Sequence, residues 1–340
     1  MKILILGGSG YIGKRLFDAL KTTGWALPVT ASRKKVSSSR LIEHATLQVN
    51  TLDESALTTA LKDFDAVVNC VAGDGQSISD GAHVLVQAAL AAKCKRIIHL
   101  STMSVYGLAE GIVDEGAPSD PRAGWYGKAK IEAEEHIKKF VAQGGEAIVL
   151  RPGCVFGPGS ELWVGRVGRW LQAKRLGDLG ITGDGWSNLV HVDDICQAIA
   201  LALQLELMPG GLPTFNLAAP DSPRWNDYFI DLALNIQAIP VQRIGQRQLQ
   251  LDAFLISPPL KVLQQALTRF GKSKAILPDP LPPGLLRLFS QHIYLDSALA
   301  VKNLGLAWTP YSTGLKSSVD WFYETHVRSD QVSDKALYST

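Results

Sequence analysis

Long apolar runs are missing from this chain of 340 residues. No stretch of about 18 apolar residues occurs, so no membrane-spanning helix is expected. The apolar stretch Ile3–Leu6 is too short, and too near the start, for a signal peptide. Cysteine is scarce, with four residues and no CxxC spacing. Cys70, Cys94, Cys154 and Cys196 therefore read as buried thiols of a protein in a reducing cytoplasm. An excess of one charge is also missing. The net charge is +2, too near neutral for nucleic acid to be the main partner. The seven histidines show no metal-ligand spacing and no carboxylates cluster, so no metal is expected. Internal repeats and low-complexity tracts are absent.

What remains is ordinary globular composition. Hydrophobic residues make up 46% and charged residues 19%, enough to bury a sizeable core and to exclude a disordered or collagen-like chain. At about 100–200 residues per domain, the length allows two domains, or one with a subdomain.

Short apolar runs and amphipathic stretches alternate along the first half. Strands are expected at Ile3–Leu6, Ala26–Ala31, Ala66–Val71, Arg96–Ser101 and Ala147–Arg151. Helices are expected at Gly13–Leu20, Ser55–Leu61, Ala82–Ala92 and Tyr126–Val141. This alternation predicts an α/β fold, a Rossmann-type doubly wound parallel sheet with right-handed crossovers. A smaller, mostly C-terminal substrate-binding subdomain completes it. The expected division is a dinucleotide-binding domain at 1–150 with returning segments at about 151–200. The substrate-binding part takes up most of 151–330, and 328–340 forms a frayed tail.

After Arg151 strands are few, while helices are expected at Asp194–Leu205, Asn226–Asn235 and Asp252–Leu267. Asp193 and Asp194 are expected to cap the first of these. Pro240–Ser290 is both apolar and basic. It holds Arg243, Arg247, Lys261, Arg269, Lys272, Lys274 and Arg287 against only Asp252 and Asp279, a net +5, so the rest of the chain is net −3. Such a segment suits an anionic or lipophilic substrate, a membrane surface, or a solvated lid.

Gly7-Gly8-Ser9-Gly10-Tyr11-Ile12-Gly13 follows the first strand and opens the first helix. Glycines let the backbone turn tightly against a pyrophosphate, and the helix N-terminus offers N–H groups and a positive dipole end. The pattern alone is weak; its place between strand and helix makes it a dinucleotide site. A NAD site usually carries an acid after the second strand, to bind the ribose 2′-hydroxyl. Here Ser32-Arg33-Lys34-Lys35 stands there. These cations suit a 2′-phosphate, so NADP is favoured and NAD stays open.

Tyr126 and Lys130 form a YxxxK pair on one helical face. A free tyrosine, with a pKa near 10, is a poor base at neutral pH. A fixed ammonium beside it stabilises the phenolate, which makes the pair a candidate acid/base.

The ordered motifs are the glycine turn, Ser101-Thr102-Met103-Ser104-Val105-Tyr106-Gly107, the Tyr126–Lys130 helix, Arg151-Pro152-Gly153 and His191-Val192-Asp193-Asp194. Val155-Phe156-Gly157-Pro158 follows the fourth of them. Together they resemble an extended short-chain dehydrogenase/reductase, the NAD-dependent epimerase/dehydratase family, over about residues 1–325. The resemblance implies that Thr102 hydrogen-bonds the reacting oxygen, Tyr126 is the general acid/base and Lys130 tunes it. It also implies that Gly7, Gly10, Tyr11, Ile12, Gly13, Ser32, Arg33, Lys34, Ala72, Gly73 and Ser101 serve the cofactor. The same holds for Pro152, Gly153 and Val155, near the nicotinamide, and for Asn50-Thr51-Leu52, near the adenine. Asn50 replaces the family's usual acid.

Three departures bear on the substrate. Met103 and Ser104 stand where the family's sugar-nucleotide dehydratases carry Asp-Glu, so dehydration by that route is not expected. Cys154 stands where nucleotide-sugar enzymes often have Asn. Trp186-Ser187-Asn188 replaces an Arg that grips the diphosphate, a role open to Arg224, Arg243, Arg247 or Arg287. Met103, Ser104, Trp125, Cys154 and Trp186 are the candidate substrate residues. Trp163 and Trp170 are candidates for core or for ring stacking.

The leading expectation is an NAD(P)-dependent oxidoreductase acting on a secondary alcohol or ketone, in the carbonyl, alcohol or sugar class of small molecules. One alternative is a nucleotide-sugar epimerase using transient hydride transfer. Another is a non-catalytic NADP-sensing or scaffold protein. A homodimer is compatible with the sequence.

Overall fold

A computed structural model describes residues 1–33, 46–269 and 277–327. Its elements begin with β1 (Lys2–Leu6), α1 (Tyr11–Lys21), β2 (Leu27–Ser32), β3 (Thr46–Gln48), α2 (Glu54–Leu61) and β4 (Ala66–Asn69). There follow α3 (Gly75–Ala92), β5 (Arg96–Leu100), β6 (Gly111–Val113), α4 (Trp125–Ala142), β7 (Glu146–Pro152) and β8 (Cys154–Phe156). Next come α5 (Arg166–Gln172), β9 (Leu189–His191), α6 (Val192–Gln204), β10 (Thr214–Leu217) and α7 (Trp225–Asn235). The last are α8 (Gln246–Leu251), α9 (Ser257–Arg269), α10 (Pro283–Ser290), β11 (Ile293–Leu295) and α11 (Tyr311–Phe322). The chain divides into two compact units.

The first unit gathers Met1–Gly153, Val190–Pro220 and Leu295–Thr309. Seven strands form one sheet in the order β10-β7-β5-β4-β1-β2-β3, every pairing parallel. Strands covered on both faces read as continuous apolar runs, which is why Ile3–Leu6 and Ala66–Val68 stand out in the sequence. Successive side chains alternate between faces. Leu4 and Leu6 join Val67, Ile97 and Val149 against Leu57, Leu85 and Ile137 of α2, α3 and α4. On the α1 side, α1 packs against α6. The strand order reverses at β1 and β4, and the crevice beyond their C-terminal ends is where doubly wound sheets bind ligands.

Several elements differ from expectation. α3 starts at Gly75 rather than Ala82, because its polar first turns are set by Asp74, whose carboxylate caps Ser77 N–H at 2.8 Å. The strand at Thr214–Leu217, not anticipated, extends the sheet beside β7. Asp193 and Asp194 are not the cap of α6. His191 occupies that place. Asp193 instead pairs with Arg15 at 2.6 Å, and Asp194 accepts the Thr309 hydroxyl, also at 2.6 Å. All four cysteines are free, and Cys70 is half-buried rather than buried.

The second unit gathers Cys154–Leu189, Asp221–Tyr294 and the residues from Pro310 onward. It has its own core, in which Trp225 packs on Trp163, Phe229 and Phe289 with ring centroids 5.0–5.6 Å apart. Trp163 and Trp170 are core residues here, and Trp170 Nε1 donates to the Asp279 carbonyl at 2.9 Å. The helix expected at Asp252–Leu267 is a π-helical turn at Asp252–Ile256 followed by α9, and α8 leads into it from Gln246. Pro258 and Pro259 follow directly on the π-helical turn, where the regular i→i−4 hydrogen-bond ladder is already interrupted.

Candidate active site

Beyond the C-terminal ends of β1 and β4 lies a groove of about 390 Å³, formed within the first unit. Its floor is the glycine turn. Gly7 has φ +76°, and a Cβ there would lie 2.7 Å from the Cys70 carbonyl oxygen, so only glycine fits. Gly10 N–H closes the turn on the Gly7 carbonyl at 2.9 Å. The N-terminus of α1 has no side-chain cap, and a helix start of that kind is suited to an anion. Gly10, Tyr11, Ile12 and Gly13 line this end. At the other end are Ser32 and the exposed Arg33, with no acid at the end of β2. Lys34 lies outside the described residues. Thr51, Leu52, Ala72 and Gly73 also line the groove. Asn50 turns its carboxamide oxygen onto the Leu52 N–H at 3.2 Å. The turn, the uncapped helix and the groove they line fit a dinucleotide.

Sequence reasoning missed seven residues of this lining, Ser9, Ala31, Val49, Cys70, Val71, Asp74 and Ser77. Asp74 had a signal that the expected start at Ala82 passed over, an Asx residue three before Ser77, whose N–H it caps at the start of α3. Its carboxyl is held below the ordinary range by the Ser77 N–H and hydroxyl.

Thr102, Tyr126 and Lys130 all belong to this unit. Tyr126 sits on the first turn of α4, its ring against Ile78, Ala82, Ala129 and Ala133. That turn lies tight on the Thr102–Tyr106 segment, because a Cβ on Gly127 would come within 2.5 Å of the Ser104 carbonyl. Burial pushes the Tyr126 phenol above its ordinary pKa, so a nearby cation is needed to make it an acid/base. Lys130 is 2% exposed. Its Nζ donates to the Leu100 carbonyl at 2.7 Å and the Val71 carbonyl at 3.1 Å. Three N–H bonds minus these two leaves one donor. Burial pushes the ammonium down to about 8, against the opposing pull of Cys70 and Glu134.

Thr102 is anchored at the end of β5. Its Oγ1 accepts the Ser104 N–H and lies 3.2 Å from Ser104 Oγ, to which it donates. Ser101 faces inward instead, its hydroxyl donating to Glu134. Pro152 ends β7, and the Gly153 N–H donates to the Leu217 carbonyl at 2.9 Å.

Among the candidate substrate residues, Met103 is buried and Trp125 is 64% exposed. The Trp125 ring meets Tyr126 edge-on at 5.7 Å. Val155, Cys154 and Trp186 belong to the second unit. Cys154 is buried there, which raises its thiol pKa. The Arg224 guanidinium stacks over Trp186 at 4.5 Å, and Arg224 donates to the Asp184 carbonyl.

A family model described as the NAD dependent epimerase/dehydratase family matches residues 3–218. Protein YeeZ of Escherichia coli (strain K12) is 29% identical over 255 residues, 71% of this chain and 86% of that protein. The 4-hydroxy-2-methyl-3-oxo-4-farnesyl-3,4-dihydroquinoline-1-oxide ketoreductase of Stigmatella aurantiaca is 24% identical over 329 residues, 90% of this chain and 92% of that protein. Among solved structures, UDP-glucuronic acid 4-epimerase from Bacillus cereus, in complex with UDP-glucuronic acid and NAD, matches with a TM-score of 0.71. It is 19% identical and covers 96% of this chain and 100% of that one, a likeness of fold.

Proposed function

The chain belongs to the NAD-dependent epimerase/dehydratase family, and from that membership we propose that it is an NADPH-dependent reductase of a ketone on a lipophilic small molecule. The observation that carries this reading is Lys130, an almost fully buried ammonium fixed by two carbonyls one helical turn after Tyr126. Burying a charge that way is costly, and a phenol that must give and take a proton accounts for it. Bound NADPH supplies the hydride for the carbonyl carbon. Tyr126 donates its phenolic proton to the carbonyl oxygen as charge develops there. The resulting phenolate is stabilised by Lys130 and reprotonated from solvent. Thr102 turns its hydroxyl hydrogen from Ser104 Oγ to the same oxygen. NADP over NAD rests on Arg33 and the missing acid after β2. The ketone and the lipophilic class rest on the Stigmatella ketoreductase, whose name carries a 3-oxo group and a farnesyl chain.

The second reading is a nucleotide-sugar epimerase. The observation in its favour is Arg224 over Trp186, a cation and an aromatic face of the kind that holds a nucleotide diphosphate. Two assays separate the readings: NADPH oxidation with a panel of 2-alkyl-3-oxo esters and isoprenoid ketones, and product analysis with nucleotide sugars, each using Tyr126→Phe as control. Net NADPH consumption, lowered about 10²–10⁴-fold in Tyr126→Phe, supports the reductase. Sugar isomerisation without net consumption supports the epimerase.

A further inference from the structure

The second unit carries an apolar patch that its core does not absorb. Of the 20 large hydrophobic side chains exposed among the described residues, six fall within residues 251–263. They are Leu251, Phe254, Leu255, Ile256, Val262 and Leu263, each more than half exposed. A soluble protein scatters such residues singly, and a concentration of this kind marks a contact surface. Leu255, Ile256, Val262 and Leu263 recur at i, i+1, i+7 and i+8, the period of one helical stripe.

The charges around the stripe say what it meets. Between Gln246 and Arg269 the exposed ionic residues are Arg247, Lys261 and Arg269. The one acid in that stretch, Asp252, is buried. Arg175 holds it at 2.6 and 2.8 Å, and the Ser257 hydroxyl reaches it at 2.9 Å. The outward surface of α8, the π-helical turn and α9 is therefore apolar and cationic, with no exposed anion. A second copy of this chain would bring the same three cations against themselves, whereas an anionic lipid surface is complementary to both features.

We propose that the face formed by residues 246–269 docks the protein on anionic membranes. The apolar stripe enters the headgroup boundary while Arg247, Lys261 and Arg269 meet lipid phosphates. No described helix is long and apolar enough to span a bilayer, so this attachment is peripheral and reversible. Lipid binding does not depend on the reductase reading, because it is measured without turnover.

The test is co-sedimentation of the full chain with vesicles of phosphatidylcholine alone, or of phosphatidylcholine with an equal part of phosphatidylglycerol. Partition onto the anionic vesicles should exceed that onto the neutral ones by at least tenfold, and should fall as salt is raised. Each cation near an anionic surface is worth about fivefold, so Lys261→Glu should lower partition by more than that. Val262→Ser with Leu263→Ser should lower it more than tenfold. Unchanged thermal melting and NADPH binding would show that both variants are folded. Absence of binding to anionic vesicles, or equal binding by wild type and both folded variants, overturns the proposal. So does sedimentation velocity showing a dimer that the double serine variant dissolves.

Discussion

Arg151 grips Glu134 through two donations, Nε to Oε1 at 3.0 Å and Nη2 to Oε2 at 2.6 Å. Both side chains are under 10% exposed. Glu134 lies one helical turn beyond Lys130, and its first oxygen also accepts the Ser101 hydroxyl. From Arg151 the network runs on to the Tyr106 hydroxyl at 2.9 Å and to Asn216 at 2.7 Å. The pair thus ties together the end of β5, the helix that carries Tyr126 and Lys130, and β7.

Removing one partner of a buried ion pair strands the other's charge, at about 3–5 kcal/mol. Glu134→Ala should destabilise by that amount in urea unfolding, and Glu134→Gln by less, since its amide oxygen still accepts. Glu134 also pulls the Lys130 pKa upward. In Glu134→Gln the alkaline fall in ketone reduction should therefore begin at lower pH than in wild type. A variant that unfolds more easily but keeps its pH profile would show Glu134 to be structural only.

Lys130 gives a second pH effect, on stability. Its folded pKa is pushed down to about 8, against about 10.4 for a free lysine. Between those values the unfolded chain holds the proton that the folded one has released. Stability contributed by this group therefore rises with pH from about 8 upward, and below 8 the cost of burying the ammonium is constant. The gain approaches about 3 kcal/mol. Lys130→Met removes it, so urea midpoints of wild type and variant, compared at pH 7.5 and pH 10, should diverge in favour of wild type. Parallel shifts in the two proteins would refute the assignment.

Much of the first unit was legible because its signals are local. A strand covered on both faces shows as an apolar run, and the glycine turn shows because its backbone tolerates nothing larger. Thr102, Tyr126 and Lys130 were readable as ordered motifs. The rest depended on partners distant in sequence. Thr214–Leu217 is too short to stand out, and its central Asn216 looks like a loop residue until its side chain meets Tyr106 and the carbonyls of Val113 and Asp296. Glu134 reads as one more surface carboxylate on a polar helix until β7 presents Arg151 to it. The role of Asp193 was misread because its partner, Arg15, lies 178 residues away.

Cofactor choice can be tested at Arg33, the exposed cation at the end of the groove. Its field already lowers the Asp74 pKa, as the weakest of several causes. NADPH should bind more tightly than NADH in calorimetric titration. Arg33→Ala should narrow the gap by about 1–3 kcal/mol, the scale of a hydrogen bond to a charged group. Equal affinities in the wild type, or a preference for NADH, would reverse the proposal.

The substrate reading makes the last prediction. Ser187 stands where nucleotide-sugar enzymes of the resembled family present an Arg, and it is fully buried. Its hydroxyl is spent on the Pro223 carbonyl at 2.5 Å and on Ser222 at 2.9 Å. Cys154, in place of their Asn, is buried as an uncharged thiol. Neither offers a group to a diphosphate, and Arg224 is engaged with Trp186 and the Asp184 carbonyl. UDP, GDP and dTDP at millimolar concentration should therefore leave the melting temperature of the NADP-bound protein unchanged. A ligand at 100 times its Kd would stabilise by about 2.7 kcal/mol, a rise of several degrees that scanning calorimetry resolves. If one nucleotide raises the melting temperature, and Arg224→Ala abolishes the rise while leaving the unliganded melt in place, Arg224 supplies the missing diphosphate contact. The epimerase reading would then displace the reductase.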